Sequence, residues 1–152
     1  MTTRSITHAT FALERTYPAR PGDVFAAWAE PAKKAAWFAT PGATHQLDFR
    51  VGGEEVTSGT MPDGRPVTFI SRYYDIVPGE RIAYSSRFLL DEELTTISQA
   101  TIEIAADGDG TRLRLVEQGA YLDGHEQPSW REQGTGEQLD ALGRALATIT
   151  TG

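Results

Sequence analysis

Residues 8–17, HATFALERTY, alternate Phe11, Leu13, Arg15 and Tyr17 with smaller or polar neighbours, a period of two that predicts a strand. Pro18 and Pro21-Gly22 end it. From Pro21 the period lengthens, and Val24, Phe25 and Trp28, then Ala32, Ala35 and Ala36, recur at three- and four-residue intervals. Pro21 suits a helix start, Asp23 suits its first turn, and Pro31 divides the run into two short helices. Strand patterns then follow one another, separated by turn chemistry. Residues 44–50 and 54–60 flank Gly52-Gly53, 67–77 follow MPDGRP, and 81–90 follow Pro78-Gly79. The Asp-Gly-rich ADGDG joins 95–105 to 111–118 as a hairpin. Residues 119–134 carry Gly, Pro, Gln and Glu without a period and read as a long loop. Leu139, Leu142, Leu146 and Ile149, with Ala145, then lie on one stripe of a helix over GEQLDALGRALATI, for which Thr135 is the expected cap.

Short connections predict an antiparallel meander, and a sheet of that size must bury one face. The C-terminal helix is the one element long enough to cover it. The expected architecture is therefore α+β, a curved antiparallel sheet of six or seven strands wrapped around that helix, with two short helices after the first strand.

Composition narrows the function. The 152 residues are 39% hydrophobic and 23% charged, enough for one core, so residues 1–152 are expected to form a single domain. A formal charge of −7 disfavours nucleic-acid binding. Without cysteine there is no disulfide, thiolate ligand or cysteine nucleophile. His8, His45 and His125 form no HxH, HxxxH or HExxH pattern, so no metal site is expected. DGDG lacks the Lys-Ser/Thr of a phosphate loop and no GxSxG elbow occurs, so no cofactor is expected either. The first twenty residues lack a signal-peptide core and no apolar run approaches a membrane span, which gives a cytoplasmic expectation.

Five stretches, in order across most of the chain, carry a resemblance. They are RTYPARPGDVFAAWAEPAKKAAWF, DFRVGGEEV, DGRPVTFISRYYDIVPGERIAYSS, DGDGTRLRLVEQG and QLDALGRAL. Together they resemble the START-like (SRPBCC) helix-grip superfamily, and within it the AHSA1-type group named after the activator of the Hsp90 ATPase, close to polyketide-cyclase-like proteins. The second stretch is similar to the group's Asp-x-Arg-x-Gly-Gly turn. One departure stands out: the group often opens its last helix with Gly-Trp, whereas this chain reads GTGEQL with Trp130 upstream.

A sheet wrapped around a helix tends to leave a cavity. Trp28, Trp37, Phe38, Phe49, Phe69, Tyr73, Tyr84, Phe88, Tyr121 and Trp130 either line it, favouring a small apolar or aromatic molecule, or fill the core. Glu117 shares parity with Leu113 and Leu115. Facing inward it would be a general acid or base with a raised pKa, or a partner for a ligand hydroxyl or amine; at the strand end it would be solvated or paired with an arginine. His45 follows the Trp37-Phe38 loop, either near a cavity mouth or on the surface. His125 lies beside Asp123 and Glu126 in a lid-like loop, a catalytic cluster or simply a polar lid. On 67–77 both faces carry apolar residues, Ile70, Arg72, Tyr74 and Ile76 against Phe69, Ser71, Tyr73 and Asp75, so parity stays open. On 81–90, Ile82, Tyr84, Ser86 and Phe88 are the inward set, leaving Arg87 outside. Gly52-Gly53 supply a positive φ or a close approach at a tight corner that an Asp48–Arg50 pair can hold.

Three functions fit these residues. The first is binding of a small hydrophobic or aromatic ligand between sheet and helix. A second is a cyclase- or lyase-type enzyme in which Glu117, Tyr84 or His45 moves a proton. The third, which the resemblance invites, is a co-chaperone-like module with a chaperone partner, although the residues carry no additional partner-binding segment. A homodimer through a sheet edge or loop is compatible with all three.

Overall fold

The computed structural model of the chain describes residues 4–150, with side chains described through residue 148. Its elements are β1 (Ile6–Tyr17), α1 (Pro21–Ala29), α2 (Pro31–Phe38), β2 (Thr44–Leu47), β3 (Glu54–Thr60), β4 (Pro66–Val77), β5 (Arg81–Leu90), β6 (Glu93–Asp107), β7 (Gly110–Leu122) and α3 (Pro128–Thr150). All neighbouring strands pair antiparallel in the order β1-β7-β6-β5-β4-β3-β2. The inner face packs α1 and α3 over a core that includes Trp28, Ile82, Ile102, Leu113, Leu139 and Leu142.

Pro21 and Pro31 each sit in the first turn of their helix, and Pro31 ends α1 by starting α2. Gly52 takes φ +85°, and a Cβ on Gly53 would stand 2.1 Å from the Asp48 carbonyl oxygen. Each glycine of the pair thus serves one of the two expected purposes, and Arg50 Nε donates to Asp48 Oδ2 at 2.8 Å across the same corner.

β2 stops at Leu47 rather than at residue 50, β6 extends two residues beyond 95–105 at each end, and the largest differences lie toward the C-terminus. Residues 119–134 are not one loop: β7 runs to Leu122, where Tyr121 pairs with Thr7 and Thr96, and α3 begins at Pro128. Thr135 therefore stands inside α3 rather than capping it, and Trp130 occupies the first turn of the helix. The turns of α3 before Gly136 show no apolar period, so the expected helix over GEQLDALGRALATI begins only there; α3 contains Gly134, Gly136 and Gly143. Two of them have a packing reason: a Cβ on Gly136 would come to 3.2 Å from Arg15 Nη2, and one on Gly143 to 3.2 Å from Tyr17 Cε1, so they let α3 lie close on β1. There Tyr17 Oη donates to the Leu139 carbonyl at 2.8 Å. Leu139, Leu142 and Leu146 face the core as expected; the side chain of Ile149 lies outside the described residues.

The open parity of β4 resolves through a bulge between Tyr73 and Asp75. Before it, Phe69, Ser71 and Tyr73 point inward and Arg72 outward; after it the phase has shifted, so Ile76 packs on the core while Tyr74 is exposed. On β5 the inward set is Ile82, Tyr84, Ser86 and Phe88, with Arg87 outside.

Candidate functional site

Antiparallel register aligns inward residues into rows across the sheet. One row is His45, Thr57, Phe69, Phe88, Thr96 and Tyr121. Another is Tyr73, Tyr84, Ala100, Glu117 and Phe11. Between these rows and α2 and α3 lies a cavity of about 600 Å³. Of the residues singled out from sequence, Trp28, Trp37, Phe38, Phe69, Tyr84, Phe88, Glu117 and Trp130 line it. Leu115, Thr135, Gln138 and Leu139 join them, and Gln138 Nε2 donates to the Phe38 carbonyl at 3.2 Å, tying the end of α2 to α3.

Three predicted residues take other places. Phe49 is stacked edge-on between Phe25 and Tyr73, with ring centroids 5.6 and 5.0 Å away. Tyr73 is 1% exposed and lies deeper in the core. Tyr121 packs beneath Arg131, whose guanidinium stands 5.9 Å from its ring. His45 is not a surface residue, since its side chain is 5% exposed, and it does not open onto the cavity. Phe38, whose ring is 6.0 Å from the imidazole, belongs to the cavity wall instead.

What His45 joins is a buried polar cluster centred on Glu55. Lys34 Nζ lies 3.0 Å from both Glu55 oxygens, His45 Nε2 lies 2.7 Å from Oε2, and Tyr73 Oη donates to Oε1 at 2.9 Å. The ammonium also faces the rings of Phe38, Trp28 and Trp37 at 4.2, 4.9 and 5.6 Å. Burial pushes the Glu55 carboxyl up, but Lys34 and the hydrogen bonds from His45, Lys34 and Tyr73 more than offset it, leaving the pKa below the ordinary carboxylate value. The Lys34 ammonium moves down, because burial outweighs the pull of Glu55. Among charges taken out of water at this depth, partners on every side are what make the cost tolerable.

A second polar cluster stands at the cavity itself. Arg131, from the first turns of α3, donates to Glu126 Oε1 from Nε at 3.2 Å and Nη2 at 2.8 Å, and to Glu117 Oε2 from Nη1 at 3.4 Å. Thr96 Oγ1 donates to the same Glu126 oxygen at 2.6 Å. Phe69 and Phe88 face the guanidinium at 5.6 and 5.8 Å. The Glu117 carboxyl is pushed up by burial, against the opposing pull of Arg131. Both alternatives read for Glu117 are therefore present together: it faces the interior, and it is paired with an arginine. Burial likewise raises Tyr84 well above the ordinary phenol value, and Tyr121 to about 12.

His125, Asp123 and Glu126 do not converge. His125 Nε2 is 3.3 Å from Glu93, Asp123 binds Arg4 and the Ser5 amide, and Glu126 turns inward to Arg131. Among the described residues no group of three or more His, Cys, Asp or Glu side chains is placed to hold a metal ion, and no helix is long and apolar enough to cross a membrane. Lys34, Glu55 and Arg131 escaped the sequence reading. Lys34 follows Lys33 on a helix and resembles its solvated neighbour; the signal available was its i−3 place before Trp37 on the apolar side.

Comparison with known proteins bears on this geometry. The family model described as Activator of Hsp90 ATPase homolog 1-like protein matches residues 18–147. No curated protein matches the chain. Among solved structures, Mll3558 from Rhizobium loti is 41% identical with a TM-score of 0.88, over 93% of this chain and 99% of that one. A Rhizobium leguminosarum protein is 37% identical with a TM-score of 0.92, over 97% of this chain and 99% of that one. DynU16, a protein of the dynemicin biosynthetic locus, shares the fold at 18% identity and a TM-score of 0.69, over 91% of this chain and 47% of that one.

Proposed function

The chain belongs to the family of Activator of Hsp90 ATPase homolog 1-like proteins, and from that premise we propose that it binds a small aromatic or apolar molecule between its sheet and α3. The observation that carries this reading is the cavity of about 600 Å³, walled by Trp37, Phe38, Phe69 and Phe88 and polar at Glu117 and Arg131. Mostly apolar walls with a few placed polar groups are the usual make-up of a small-molecule site. Apolar burial supplies affinity, and the two polar groups set orientation.

The test is a thermal-shift screen with small aromatic, polyketide-like and fatty molecules, run beside Thr135→Phe, which puts a ring into the cavity from α3. A ligand at 100 times its Kd adds about 2.7 kcal/mol and moves the midpoint by several degrees. The expected result is a set of hits on the native chain that lose at least tenfold in affinity in Thr135→Phe. Hits indifferent to that substitution would place binding elsewhere and sink the proposal.

One observation favours a second reading, an enzyme of the cyclase or lyase kind: Glu117 is a buried carboxyl with a raised pKa at the cavity wall. Turnover of a bound hit that disappears in Glu117→Gln would support it.

A further inference from the structure

We infer that Tyr84 and Glu117 form a two-point clamp for one hydroxyl group, and that the ligand class of the cavity is a planar aromatic bearing a phenolic hydroxyl. This inference rests on the ligand-binding reading above. Tyr84 pairs with Ala100 and Ala100 with Glu117, so the three lie in one row across β5, β6 and β7. Strands are about 4.8 Å apart, which sets the phenol and the carboxylate on backbones roughly 10 Å from each other. Between them stands a single methyl group. Ala100 is 2% exposed, so the low point of the row is covered while both taller side chains line the cavity.

The two polar ends have unused capacity. Glu117 meets Arg131 through Oε2, and among the described residues its Oε1 has no hydrogen-bond partner. Tyr84 Oη makes no hydrogen bond among the described residues either. Two other buried tyrosines are satisfied, Tyr17 donating to the Leu139 carbonyl and Tyr73 to Glu55, whereas Tyr121 beneath Arg131, like Tyr84, makes no hydrogen bond among the described residues. Neither Glu117 Oε1 nor Tyr84 Oη is sealed off in the way that Trp28 Nε1 and Thr57 Oγ1 are, so both open on the cavity. A ligand that fills the cavity removes these two atoms from water, which is costly unless the ligand supplies a partner for each.

A phenolic hydroxyl matches both ends at once. It donates to Glu117 Oε1 and accepts from the Tyr84 hydroxyl, while its ring lies along Phe88 and the other aromatic walls. An ether can accept but not donate, and a hydrocarbon does neither. A ligand carboxylate would add a third anion beside Glu117 and Glu126, which share the single cation of Arg131.

The experiment titrates 2-naphthol, 2-methoxynaphthalene and naphthalene into the native chain, Tyr84→Phe and Glu117→Gln, following ligand fluorescence. The ratio of affinities is read within each protein, so a general loss of stability cancels. In the native chain 2-naphthol should bind at least about tenfold more tightly than either other probe. That advantage should shrink to within about threefold in Tyr84→Phe. In Glu117→Gln it should fall part of the way, because an amide oxygen accepts a weaker bond than a carboxylate. Naphthalene binding with no naphthol advantage overturns the clamp and leaves the cavity reading intact. An advantage that survives in both variants also overturns the clamp. If none of the three probes binds, the clamp falls, and the thermal-shift screen with its Thr135→Phe control decides the cavity reading separately.

Discussion

Lys33 and Lys34 are chemically alike and adjacent, yet Lys33 forms an exposed pair with Glu30 at 3.1 Å while Lys34 is 1% exposed. Surface pairs of the first kind contribute little. In the second, each charge depends on the other, since removing one partner strands the other in a medium that cannot solvate it. Lys34→Met or Glu55→Leu alone should therefore cost about 3–5 kcal/mol, and the double variant clearly less than the two costs added. Urea unfolding of all four proteins measures the coupling, and strict additivity would refute it. Nothing in the sequence separates the two lysines by type. Only placement on the helix relative to Trp28, Trp37 and a glutamate some twenty residues away does so, and that glutamate was masked by Glu54 beside it. Glu117 was legible because its strand has a clean period of two, whereas Arg131 was hidden by a stretch that looked like a loop.

At the scale of elements, the turn between β5 and β6 is built against backbone preference. Leu90 pairs with Glu93, leaving Asp91 and Glu92 as a two-residue connection with φ of 53° and 66°. Such a turn favours glycine at its second position. Glu92→Gly should raise stability by roughly 0.5–1 kcal/mol, seen as a higher urea midpoint with an unchanged slope. A lower midpoint would mean that the glutamate side chain holds the turn. Strand existence, helix division at Pro31 and the glycine corner were all readable from period and turn chemistry. The β4 bulge was not, because a one-residue change of phase leaves apolar residues on both faces of the same segment. Nor was the start of α3, where residues 128–135 carry no apolar period; of the helix glycines, Gly136 answers to Arg15 and Gly143 to Tyr17, both more than a hundred residues earlier in the chain.

For the whole molecule, two buried carboxyls act on stability in opposite directions around the ordinary glutamate value of 4.5. The folded pKa of Glu55 is depressed, so its contribution is present above 4.5 and is lost as pH falls through the folded value. Glu117 is raised, so its contribution is complete below 4.5 and is lost as pH rises through the folded value. Glu117→Gln should remove only the second effect. Its stability relative to the native chain should improve between pH 4.5 and pH 8, measured by urea unfolding at several pH values; parallel curves would contradict the shift. The strand order has a further consequence in time rather than in space. β1 pairs only with β7, Tyr17 opposite Thr111 and Ile6 opposite Leu122, whereas β2 to β7 form successive hairpins. During synthesis the first strand to leave the ribosome is therefore the last to find its partner. Until residues 110–122 emerge, β1 is an unpaired strand carrying Phe11, Leu13 and Tyr17, and its open edge is available for association with other chains.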